Sequence, residues 1–117
     1  PLYSSAASDV YKRQVHGFTV VSGHLPPGHE KSLVDWAALA RSGATLAVIM
    51  GVKNAPAIAS ALIDASLSPS TPCAIIQEGT LSTERAYRCT LGTLAQTMAK
   101  HEISAPAVYV IGEVAGL

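Results

Sequence analysis

The chain has 117 residues, 49% of them hydrophobic, and its eight Lys plus Arg balance eight Asp plus Glu. That length accommodates one domain with a real core, built on one sheet and its helices, and not two. With even charge, no basic block and only 5% aromatic residues, the sequence offers neither a phosphate-backbone footprint nor a base-stacking surface, so no nucleic-acid partner is expected.

A membrane helix needs roughly 20 apolar residues in a row. No run here approaches that, and no charged-then-apolar segment of signal type opens the sequence, so the expectation is a cytoplasmic protein without a membrane partner. Cys73 and Cys89 have no CxxC spacing and lie in or beside apolar strand-like runs, the setting of reduced, buried thiols.

Residues 1–14 have neither helical nor strand periodicity and are rich in small polar side chains. They read as an adapter-like, non-native or disordered tail, set apart from a domain at 15–117. Phe18-Thr19-Val20-Val21 is a β-branched strand closed by Ser22-Gly23, and the Pro/Gly-rich stretch from Gly23 to Glu30 is a loop with a defined path.

Ser32, with Asp35 three residues on, approximates a capping box, and Leu33, Trp36, Ala37 and Ala40 fall on one helical face that ends at Gly43. Residues 45–50 form the central buried strand. Asn54 follows as an N-cap with Pro56 in the first turn, opening a helix with the stripe Ile58, Ala61, Leu62 and Ala65.

After the turn at 68–72, Cys73-Ala74-Ile75-Ile76-Gln77 is another buried strand, and the strand–helix–strand spacing predicts a parallel crossover. Arg85 to Cys89 comes too soon for an intervening helix and is expected to pair in the antiparallel sense. Thr90 caps a last helix with Leu91, Leu94, Ala95 and Met98 on one face, and Ala107 to Ile111 is the final strand. The sum is an α/β fold, a single domain with a five-stranded mixed sheet flanked by helices.

In open α/β sheets ligands gather beyond the carboxyl ends of strands, which points to Ser22-Gly23-His24, Met50-Gly51-Val52, Glu78-Gly79-Thr80 and Gly112-Glu113. Each contains a glycine, whose missing Cβ serves a sharp turn or the close approach of a flat ligand. Met50 reads on pattern alone as core filler, with a soft ligand wall as the other reading. His24 is the best-placed side chain for acid–base work or a substrate carboxylate contact, with a loop-ordering bond as its alternative. The four histidines form no metal-binding spacing, so no metal is expected, and GxSxG, P-loop and GxGxxG motifs are absent.

Taken together, Val21-Ser22-Gly23-His24, Val34-Asp35-Trp36-Ala37-Ala38-Leu39-Ala40, Ile49-Met50-Gly51-Val52, Gln77-Glu78-Gly79-Thr80 and Val110-Ile111-Gly112-Glu113-Val114 resemble, in order and spacing, the C-terminal part of uroporphyrinogen-III C-methyltransferases. These are tetrapyrrole methylases that use S-adenosyl-L-methionine. The resemblance implies a two-domain enzyme, usually a homodimer, that methylates uroporphyrinogen III to precorrin-2 for sirohaem and cobalamin, with the cofactor in the cleft between domains.

It places Met50, Gly79 and the adjoining Thr80 where the family contacts the cofactor, and it puts the catalytic residues in an N-terminal domain that this sequence lacks. No catalytic residue is therefore expected in this chain, which should be inactive alone. Another tetrapyrrole methylase, such as a precorrin methyltransferase, and a non-catalytic α/β dimerisation module are the alternative readings.

Overall fold

The structure is a computed structural model that describes residues 18–77 and 85–116. Among these lie five strands, β1 (Phe18–Ser22), β2 (Thr45–Ile49), β3 (Pro72–Gln77), β4 (Arg85–Thr90) and β5 (Ala107–Ile111). Three α-helices accompany them: α1 (Trp36–Arg41), α2 (Ala55–Asp64) and α3 (Leu94–Lys100). The sheet order is β1-β2-β5-β3-β4, with β1 and β2 parallel and every other pairing antiparallel. The expected five-stranded mixed α/β domain is what forms.

The crossover from β2 to β3 differs from the simple expectation. Both strands pair antiparallel with β5 and so run in the same direction, yet β5 stands between them. Burial explains the place it takes: Tyr109, Val110 and Ile111 are all buried, so this strand needs cover on both faces and both edges.

Pairing register aligns Thr19, Leu46, Ile111, Cys73 and Cys89 in one row across the sheet, and Val21, Val48, Tyr109, Ile75 and Tyr87 in the next but one. These rows share a face because strand side chains alternate. They form the core with Ile58 and Leu62 of α2 and Leu94 and Met98 of α3. On the other face Ala47 and Val110 are also buried, and a 3-10 turn at Glu113–Gly116 lies against β3.

Helix starts differ from the sequence expectation at two points. Asp35, not Ser32, is the N-cap of α1: its Oδ1 accepts from the Ala38 amide at 2.9 Å, while the Ser32 hydroxyl accepts from Val34 N at 3.3 Å in a local turn. Leu33 consequently lies outside the helix and is 99% exposed, whereas Trp36 is buried. In α2 the buried stripe is Ala55, Ile58, Ala59 and Leu62, one position round from that expected, with Ala61 and Ala65 half-covered.

The helix ends follow the sequence in part. Gly43, at φ +75, takes the left-handed backbone that closes α1. Thr90 caps not α3 but a 3-10 turn at Leu91–Thr93 that precedes it, its N–H donating to Thr93 Oγ1 at 3.1 Å, and Leu91 is buried in that turn, outside the helix. His101, just past α3, stacks on Tyr87 of β4 with ring centroids 4.0 Å apart. Among the described residues no helix is long and apolar enough to cross a membrane.

Burial separates two leucine-type side chains that sequence spacing treats alike. Ile58→Ala should lower unfolding free energy by about 2–5 kcal/mol. Leu33→Ser should stay within about 0.5 kcal/mol of the parent. Urea unfolding of both variants measures the contrast.

Candidate functional site

The two parallel strands deliver their carboxyl ends side by side. Gly23 N donates to Ile49 O at 2.8 Å, which carries the β1–β2 pairing one residue past β1. The two loops then touch through their backbones: a Cβ built on Gly23 would lie 2.7 Å from Gly51 Cα, and one built on Gly51 would lie 2.7 Å from Val48 Cγ1 and 2.8 Å from Tyr109 Oη. Glycine is required at both places by the protein's own packing.

Two side chains hold this junction with three hydrogen bonds. The hydroxyl of Tyr109, on the helix-covered face of β5, donates to Gly51 O at 3.0 Å. Burial pushes that phenol's pKa up, with the neighbouring Cys73 adding to the effect, so it remains a protonated donor. Asn54 stands at the N-cap position of α2 but does not cap it; its Nδ2 donates instead to Gly23 O at 2.8 Å and His24 O at 3.0 Å.

Between these anchors Met50 is forced outward. Its backbone is left-handed at φ +53, uncommon for a residue with a side chain, and the residue is 62% exposed. The filler reading of Met50 is thereby corrected: the apolar run ends at Ile49, and the thioether stands in solvent above the strand ends. His24, in the loop after β1, is exposed, and that loop is ordered through the His24 backbone, which accepts from Asn54 and whose N–H donates to Ser22 Oγ at 3.3 Å.

The remaining sequence candidates are scattered. Glu78, Gly79 and Thr80 lie outside the described residues. Gly112 is placed by contact with Thr45, since a Cβ there would meet Thr45 Oγ1 at 2.8 Å, and Glu113 is exposed. Among the described residues no three His, Cys, Asp or Glu side chains gather in a group that could hold a metal ion. Tyr109 and the bridging role of Asn54 were missed on sequence. The available signal was a phenol in an otherwise aliphatic strand, because a buried hydroxyl needs a partner.

A family model described as "Tetrapyrrole (Corrin/Porphyrin) Methylases" matches residues 2–95. The chain belongs to the tetrapyrrole methylases. The matched span begins inside the N-terminal stretch that lacks periodicity. Among tetrapyrrole methylase relatives, a siroheme synthase of Hydrogenovibrio crunogenus is 42% identical over 95 residues, covering 81% of this chain and 20% of that protein.

An S-adenosyl-L-methionine-dependent uroporphyrinogen III methyltransferase of Methanosarcina barkeri is 36% identical over 99 residues, covering 85% of this chain and 39% of that protein. The crystal structure of a uroporphyrin-III C-methyl transferase from Thermus thermophilus, complexed with S-adenyl homocysteine, matches with a TM-score of 0.67 at 33% identity, over 86% of this chain and 41% of that one. The chain thus spans between about a fifth and two fifths of the length of these proteins.

The clamp makes a measurable demand on stability. Tyr109→Phe leaves the Gly51 carbonyl without its donor, and Asn54→Ala removes two bonds to loop carbonyls. Each should lower unfolding free energy by about 1–3 kcal/mol. Unchanged urea midpoints in both variants would show that the junction holds without them.

Proposed function

We propose that this chain is the C-terminal, cofactor-cleft part of an S-adenosyl-L-methionine-dependent uroporphyrinogen-III C-methyltransferase acting in the cytoplasm. Residues 15–117 form the domain, and residues 1–14 are a tail outside it. A preceding domain supplies the other wall of the cleft and the acid–base groups, and two copies of the whole enzyme associate. The substrate is uroporphyrinogen III, carried to precorrin-2 for sirohaem or cobalamin.

The observation that carries the reading is Met50, held outward on left-handed backbone at the carboxyl ends of two parallel strands. Support comes from relatives whose names specify this methyl donor and substrate, and from a similar structure determined with S-adenyl homocysteine. The described residues fit a cofactor of that shape. An exposed, polarizable thioether suits the face of an adenine ring, and the close Gly23–Gly51 junction fixes the backbone from which it projects. Gly79 and Thr80 belong to the same proposed wall.

The cofactor, when bound, supplies an electrophilic methyl group on a sulfonium. Met50 then contributes position, holding the adenosine end while the clamp of Tyr109 and Asn54 prevents the loops from drifting apart. Methyl transfer requires alignment of nucleophile, methyl carbon and sulfur more than any nucleophilic side chain, which agrees with the modest polar inventory of this half. His24, exposed in the loop after β1, is the side chain of this chain best placed to meet a substrate carboxylate.

A second reading is favoured by one observation: Val20 and Phe18 are exposed at 55% and 37% on the edge strand β1. Unpaired apolar edges are association sites, and a non-catalytic module would dimerise there. Calorimetric titration of S-adenosylhomocysteine into the 117-residue chain, alone and with the N-terminal domain of a relative supplied in trans, separates the two. Binding should require both halves, and Met50→Asp should weaken it roughly tenfold, the equivalent of about 1.4 kcal/mol. A chain folded by circular dichroism that binds in neither condition would leave the interaction module standing.

A further inference from the structure

Cys73 and Cys89 play no part in the cofactor cleft, yet the fold brings them together. They are direct partners in the antiparallel register of β3 and β4, and the pleat turns both toward the helix-covered face. Directly opposed residues in such a ladder have Cα atoms about 4.5 or 5.5 Å apart, depending on the pair type, and a disulfide spans about 4.4–6.8 Å. Either spacing falls within that range. Both thiols are free.

Their surroundings are unequal. Cys73 is 1% exposed, against Tyr109 and the core, and its thiol donates to the Thr71 carbonyl at 3.7 Å, with Cys89 opposite it in the ladder. Cys89 is half-buried on β4, the edge strand. Interaction of its sulfur with the neighbouring Cys73 thiol, and with the Thr97 hydroxyl of α3, outweighs its burial and draws its pKa below the usual thiol value. The interaction with Cys89, together with burial, pushes the Cys73 thiol up. Cys89 is thus the less buried of the two and the more readily ionised, and Cys73 is a sheltered thiol.

We propose that Cys89 and Cys73 are a hydroperoxide-responsive pair, Cys89 being oxidised first and Cys73 resolving it into a cross-strand disulfide between β3 and β4. In the first step the Cys89 thiolate attacks one oxygen of hydrogen peroxide, the O–O bond breaks, and hydroxide leaves and takes up a proton as water. Cys89 is now a sulfenic acid. The Cys73 sulfur then attacks the Cys89 sulfur, giving up its proton as the S–O bond breaks, and the second oxygen departs as water. Two thiols and one peroxide give one disulfide and two waters.

The new bond would join the edge strand to β3 across residues 78–84, on which the proposed cofactor positions Gly79 and Thr80 fall. It closes a loop that is open in the reduced unfolded chain, so the oxidised form should melt at higher temperature. The inference does not depend on the methyltransferase reading, because neither thiol is used by it.

The test is mass spectrometry of the reduced 117-residue chain after stoichiometric hydrogen peroxide, catalase quenching and N-ethylmaleimide blocking in denaturant. The wild-type chain should lose two hydrogens, take up no N-ethylmaleimide and regain both reactive thiols with dithiothreitol. It should run as a monomer without reductant, with a 73–89 linked peptide on digestion. Cys73→Ala should halt at a Cys89 sulfenic acid trapped by dimedone. Two alkylatable thiols after peroxide, disulfides only between chains, or Cys89 driven to sulfinic acid while Cys73 stays alkylatable would each overturn the proposal. The wild-type result stands on its own even where a variant does not fold.

Discussion

The bond from the Tyr109 hydroxyl to the Gly51 carbonyl, buried at 3.0 Å, is the constraint from which the strand-end region takes its shape. A donor fixed on the third strand of the sheet pulls the β2–α2 turn down onto the core, and the carbonyl it satisfies could not be reached by water. Once Gly51 is drawn in, no side chain fits at that position, and Gly23 must also be bare for β1's loop to pass over it. Asn54 then finds the Gly23 and His24 carbonyls within reach. Met50, between Ile49 and Gly51, has nowhere to go except outward.

Much of the architecture was legible because the strands are short apolar runs separated by Gly, Pro and polar residues. The place of β5 was not. Sheet order depends on which strand most needs neighbours on both edges, and for residues 107–111 that appears only once burial of Tyr109, Val110 and Ile111 is known. The α1 start was ambiguous for a local reason. Ser32 and Asp35 are both good acceptors three residues apart, and Leu33 suits the helical spacing as well as Trp36 does. Tertiary burial of the indole chose Asp35.

The site was legible in a different measure. Strand-end logic located Gly23, His24, Met50 and Gly51 together, but periodicity assigned Met50 to the core, since a left-handed methionine is too rare for any pattern to anticipate. Likeness to the tetrapyrrole methylases, not spacing, raised the ligand-wall reading of it. Asn54 looked like a helix cap because a cap and a cross-loop bridge use the same residue at the same position. The pairing of Cys73 with Cys89 was invisible in sequence, because sixteen residues of separation become contact only when the β3–β4 register is set.

The left-handed backbone at Met50 has an evolutionary consequence. Holding a residue with a Cβ in that region costs about 1–2 kcal/mol relative to glycine. Drift under pressure for heat tolerance alone would therefore replace Met50 by glycine, which relieves the strain and leaves the core untouched. A lineage that became thermophilic and nevertheless kept methionine at this position would be recording a demand that folding does not impose, and would expose it in a comparison of sequences before any ligand had been tried.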